Sequence, residues 1–96
     1  MNRKEAESIG MIIRKFMREE GLESPLNEYR LIQSWKDVLG PGIAAYTGDL
    51  FIKNQTLYVH ITSPVIRQEL MMGREAIVRN LNKHVGAQVI ANIIFR

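Results

Sequence analysis

The chain of 96 residues contains no cysteine. This absence excludes a disulfide framework, a thiolate zinc site and a cysteine nucleophile. The sequence also has no apolar run long enough to span a membrane. Near the N-terminus, Arg14 and Lys15 interrupt the apolar residues, which the core of a secretion signal would not tolerate. The sequence therefore predicts a cytoplasmic protein with one domain, residues 1–96, and no membrane partner.

Patterns that carry catalytic chemistry are missing as well. His60 and His84 are the two histidines, and neither has further ligands at a spacing typical of metal sites. Nucleophile motifs and glycine-rich phosphate loops are absent. Asp49 is expected opposite His60 in a hairpin, which we interpret as a surface contact. We predict a protein that is not an enzyme, with no catalytic residue, no metal, no cofactor and no small-molecule substrate.

What the sequence does contain is a period-two strand that passes straight into a long amphipathic helix, over residues 56–81. The strand is predicted to bury one face, formed by Leu57, Val59 and Ile61. Ser63 is a suitable N-cap and Pro64 suits the first helical position. The helix is predicted to lie on the buried face of the strand through an apolar stripe of Ile66, Leu70, Ile77 and Leu81.

Two more helices are predicted before this unit. Residues 1–22 contain an amphipathic helix, whose apolar side chains are Ile9, Ile12, Ile13, Phe16 and Met17. A compact core, residues 24–96, begins with a second helix that Ser24 and Pro25 start and that Gly40-Pro41-Gly42 ends. Trp35 lies on the apolar face of this second helix, so we predict that it packs in the core.

The remaining strands complete the predicted fold. Gly48–Lys53 pairs with the strand after it through a two-residue turn at Asn54-Gln55, which places Phe51 opposite Tyr58. Gln88–Phe95 is predicted as the last strand. The order helix, helix, strand, strand, helix, strand indicates an α+β, KH-like fold: a three-stranded sheet with helices packed on one face.

The outer face of this predicted sheet is unusually apolar. Four side chains are expected to point away from the long helix: Phe51, Tyr58, Ile90 and Ile94. A small monomer seldom leaves such a patch in water. Three interpretations stay open: cover by the N-terminal helix, a surface for a protein partner or a weak homodimer, and stacking of nucleic-acid bases on Phe51 and Tyr58.

Positive charge is concentrated in the second half of the chain. The net charge of the whole sequence is +3, but residues 50–96 alone carry +4, because this half contains six cationic side chains and two acidic ones, Glu69 and Glu75. These cations are Lys53, Arg67, Arg74, Arg79, Lys83 and Arg96. We predict that they contact phosphates; the alternative is that they only form a solvated surface. On one continuous helix, Arg67 and Arg74 would lie about 120–180° from Arg79 and Lys83.

An ordered set of residues carries a family resemblance over roughly residues 9–96. The set is Trp35, Val38-Leu39-Gly40, Ile43-Ala44, Tyr46-Thr47, Leu57, Val59, Ser63, Glu69-Leu70, Leu81-Asn82, Gly86, Ile93 and Phe95-Arg96. In these positions the chain resembles the DciA-type family of small bacterial proteins, long catalogued as a domain of unknown function. The resemblance implies a KH-like fold and a role in DNA replication, with nucleic acid, DNA rather than RNA, and the replicative helicase as expected partners.

The sequence departs from this family and from nucleic-acid-binding KH domains in two respects. It ends at Arg96, so it resembles a short form without the basic C-terminal extension of many members. It also lacks the Gly-x-x-Gly loop with which KH domains clamp a nucleic-acid backbone; Gly73 is predicted inside the helix. The alternative hypothesis is a non-enzymatic adaptor that binds proteins through the outer sheet face, without direct contact to nucleic acid.

Overall fold

The computed structural model describes residues 23–96. The helix predicted within residues 1–22 lies outside the described residues. In the described part, helices and strands follow one another in the order α1 Glu23–Leu39, α2 Pro41–Ala44, β1 Thr47–Lys53, β2 Thr56–Ile61, α3 Pro64–Met72, α4 Arg74–Val85 and β3 Asn92–Phe95. The division into domains stays a prediction.

The sheet is mixed, with β2 in the centre. Strand β1 pairs with β2 in the antiparallel sense and β3 pairs with β2 in the parallel sense. Asn54 and Gln55 form the hairpin turn with φ angles of 52° and 60°, the left-handed values that a two-residue turn between twisted strands needs. Phe51 pairs with Tyr58, so the predicted register is confirmed.

The helices pack against one face of this sheet, and the α+β fold is confirmed. The core contains Leu57 and Val59 from the centre of β2, together with Leu31, Trp35, Ile61, Leu70, Leu81, Val85, Ile90, Ile93 and Phe95. Trp35 is 2% exposed, as predicted for a core residue. Its indole N–H donates to the hydroxyl of Thr47 at 3.0 Å, which satisfies the polar end of a buried ring.

The long helix predicted after β2 is interrupted at Gly73. Ser63 caps α3 by accepting a hydrogen bond from the Ile66 N–H at 3.4 Å, as predicted. Gly73 has φ −105° and ψ 15°, outside the helical range, and separates α3 from α4. The prediction of one continuous helix was therefore wrong. The angles expected for one continuous helix therefore do not describe how Arg67 on α3 lies relative to the cations on α4.

The last strand is shorter than predicted, and this changes the position of Ile90. Residues 88–91 run as irregular chain, because the buried side chain of Asn82 binds their backbone. Its amide donates to the carbonyl oxygen of Ile90 at 2.8 Å and accepts from the N–H groups of Val89 and Ile90 at 3.0 and 3.1 Å. Ile90 is 0% exposed. The prediction that Ile90 belongs to the outer face was wrong.

Strand β1 is irregular at its start. The register shifts between Thr47 and Leu50, so the regular pairing does not extend to Asp49 and His60. The imidazole of His60 instead lies against Gly48, where an added Cβ would be 2.7 Å from Cδ2 of the ring. At this irregularity two residues of β1, Gly48 and Asp49, correspond to the single residue His60 of β2, so the expected opposition of Asp49 and His60 does not form a regular pair.

Candidate nucleic-acid interface

The outer face of the sheet is the side away from the helices, and we define it by Phe51, Lys53, Tyr58, Ile94 and Arg96. Phe51, Tyr58 and Ile94 are direct neighbours across the three strands. Phe51 is 38% exposed and Ile94 is 40% exposed. Three of the four apolar side chains predicted for this surface therefore lie on it.

Two aromatic rings and one guanidinium form a cluster on the outer face. The rings of Phe51 and Tyr58 are stacked, with centroids 4.8 Å apart and planes inclined by 12°. The guanidinium carbon of Arg96 lies 4.9 Å from the Phe51 centroid and 5.4 Å from the Tyr58 centroid. Such cation–π contacts contribute about 0.5–1 kcal/mol at exposed sites. The rings therefore restrict where the positive charge can lie.

The backbone of Arg96 is also fixed. Its N–H donates to the carbonyl oxygen of Val59 at 2.8 Å, and its carbonyl oxygen accepts from the N–H of Ile61 at 2.8 Å. Arg96 thus continues the pairing of β3 with β2 by one residue beyond Phe95. Main-chain pairing and ring contacts together hold this cation over the aromatic pair.

Lys53 adds a second cation to the same face. It is exposed and lies two residues from Phe51 on β1, so alternation places both side chains on one side of the sheet. Asp49 is the single carboxylate in the three strands of the described part, and it lies in the irregular start of β1. Around the aromatic pair the charge is therefore predominantly positive.

Arg74 and Arg79 line a different surface, a groove of about 250 Å³ between α4 and the start of β3. Ala91 and Asn92 form its opposite side. The Ala91 N–H donates to the carbonyl oxygen of Gln55 at 2.7 Å, so this edge groove adjoins the tip of the hairpin. Glu75 also lines it and offsets part of its positive charge.

The other two predicted cations join neither surface. Arg67 lies on α3 and is half-buried, with a buried Nε that has no hydrogen-bond partner among the described residues. Lys83 is exposed in the last turn of α4, where its positive charge interacts favourably with the negative end of the helix dipole. The structure thus divides the six cations among the outer face, the edge groove and two separate positions.

Sequence reasoning predicts part of this site and misses part of it. Alternation in the hairpin already places Lys53 beside Phe51 and Tyr58. The contact of Arg96 with the two rings was missed, although its spacing of two from Ile94 could have indicated the same face.

Some features that would indicate other functions were not found. In residues 23–96, no group of three or more histidine, aspartate or glutamate side chains is placed to hold a metal ion. None of the helices described has the length and apolar character needed to cross a membrane.

Comparison with known proteins addresses the family. A family model described as "Dna[CI] antecedent, DciA" matches residues 8–95. The chain belongs to the DciA family. This confirms the resemblance seen in the sequence, and the name of the DciA family implies a role in replication beside the replicative helicase. No curated protein matches the chain.

Proposed function

We propose that this protein is an accessory factor of DNA replication that binds DNA, rather than RNA, without sequence specificity. The single observation that supports it most is the Arg96 guanidinium held over Phe51 and Tyr58, with Lys53 on the same face. Clustered cations suffice for contacts to phosphates, and such contacts carry no base information.

The geometry of Arg96 suits a phosphate ligand. A guanidinium that stacks on rings uses its flat face for the contact, so that its N–H donors at the edge stay available for phosphate oxygens. Lys53 supplies a point charge on β1, which β2 separates from β3 and Arg96. The edge groove with Arg74 and Arg79 extends the positive surface round the start of β3.

A salt titration of binding tests this function. The affinity of the protein for a fluorescent oligonucleotide should fall as salt rises from 50 to 200 mM, because each neutralised phosphate releases counterions. The double variant Lys53→Gln, Arg96→Gln should bind more weakly and lower the salt slope by about 1 for each phosphate that is no longer neutralised. A matched control removes two exposed cations elsewhere, Lys36→Gln and Lys83→Gln. Absent binding at 50 mM salt, or binding indifferent to salt, contradicts the proposal.

The replicative helicase is the protein partner that we propose, in line with the family. The exposed apolar side chains Phe51 and Ile94 also suit a second function, an adaptor that binds only proteins. Capture of the helicase with and without nuclease separates the two. Loss of capture after nuclease supports a joint complex on DNA, whereas nuclease-resistant capture without any binding of free oligonucleotide supports the adaptor.

A further inference from the structure

We infer that the Phe51–Tyr58 pair is a stacking site for unpaired nucleic-acid bases, so that the outer face selects single strands over duplex. This inference rests on the proposed function and names the ligand of that same site. It starts from the exposure of the aromatic pair. Phe51 is 38% exposed and Tyr58 is half-buried, whereas Val59 and Ile93, on the other face of the sheet, are at most 1% exposed.

The chemistry of the face matches an unpaired base. Every base has a π face, and stacking on aromatic side chains tolerates any sequence. Arginine guanidinium planes also stack on unpaired bases, and Arg96 already lies against both rings. In a duplex the base faces are covered by neighbouring base pairs. A duplex could therefore contact the cations of this face but not use its rings.

Charge favours this ligand over a second copy of the chain. Lys53 and Arg96 accompany the apolar row of Phe51, Tyr58 and Ile94. A second copy on the same face would bring equal positive charges together, which disfavours association. Three partly exposed side chains also fall short of the area of about 800 Å² per partner that stable interfaces bury. A phosphate backbone next to the stacked base would instead complement both cations.

The experiment compares two DNA ligands of equal length, a deoxythymidine single strand and a duplex, at one salt concentration. The variant Phe51→Leu, Tyr58→Leu keeps apolar side chains but removes both rings. We expect the affinity of this variant for the single strand to fall about tenfold or more. The reduction for the single strand should be at least about fivefold larger than the reduction for the duplex. Tyr29→Leu is the matched control, since Tyr29 is 61% exposed on α1, and its affinities should equal those of the wild type.

A second variant protects the test against a loss of folding. Arg96→Lys keeps the charge on an exposed side chain but removes the planar group, and it should weaken single-strand binding more than duplex binding. Equal reductions for both ligands, or no reduction, overturn the stacking site while leaving DNA binding intact. A wild-type protein that binds neither ligand refutes the proposed function itself. A wild-type dimer that the double variant dissociates overturns the inference in favour of a second copy.

Discussion

The side-chain amide of Asn82 donates a hydrogen bond to the carbonyl oxygen of Ile90, 2.8 Å away. Its oxygen accepts from the N–H groups of Val89 and Ile90. Asn82 is 8% exposed; its two bonds to Ile90 are buried and the bond from Val89 is partly buried. One side chain on α4 therefore takes the place of a sheet partner for the chain that leads into β3.

The first prediction follows from this contact. Asn82→Ala leaves the N–H groups of Val89 and Ile90 without a partner, while the Ile90 carbonyl keeps only its bond from the Gln88 side chain at 3.1 Å. It should lower the free energy of unfolding by about 2–4 kcal/mol. Asn80→Ala, at an exposed position of the same helix, should change it by less than about 0.5 kcal/mol. Urea denaturation of both variants provides the measurement. Equal stability of the two would show that the Asn82 bonds do not hold the loop.

The second prediction separates two isoleucines that a strand pattern treats alike. Ile90 is 0% exposed and Ile94 is 40% exposed. Ile90→Asp buries a charge without a partner and should prevent folding, whereas Ile94→Asp should leave a folded, soluble protein. Circular dichroism of the two variants checks this.

The same Ile94 variant tests the weak homodimer that the sequence analysis left open and that the positive charges of the outer face disfavour. The sedimentation of the wild type is compared with that of Ile94→Asp at about 100 µM, a concentration at which weak association is visible. An Ile94→Asp protein that unfolds would show that the outer face is ordinary core.

The third prediction concerns the hairpin turn. Gln55 has φ 60°, a left-handed value that costs a residue with a side chain about 1 kcal/mol more than it costs glycine. Gln55→Gly should therefore raise the free energy of unfolding by up to about 1 kcal/mol. Gln68→Gly, on the exposed side of α3, should lower it by about the same amount. Thermal unfolding that moves both variants in one direction would contradict the turn geometry.

Local patterns account for the parts of the fold that the sequence predicts. The register of Phe51 with Tyr58 and the position of Lys53 follow from alternation and a two-residue turn, because every contact involved is close in sequence. The burial of Trp35 follows in the same way from its position on the apolar face of a helix. The break at Gly73 could not be predicted in this way, because an apolar stripe continues across a glycine whether or not the helix does.

Contacts between distant segments account for the rest. Residues 89–91 are apolar like the strand that follows them, but the side chain of Asn82 competes for the backbone of this segment, and a sequence pattern does not report a side-chain hydrogen bond. The site has the same limit. Arg96 meets Phe51 only through the parallel register of β3 on β2, which pairs Ile94 with Tyr58, and no local pattern specifies that register.

The most direct test of DNA binding at the outer face is a map of the contact by nuclear magnetic resonance. Backbone amide shifts are recorded for the wild-type protein with increasing amounts of a short single strand. We predict that the shifts concentrate at the outer face, around Phe51, Tyr58 and Arg96, with smaller changes at the edge groove. Shifts confined to the exposed side of α4 around Lys83, with the outer face unchanged, would contradict this site.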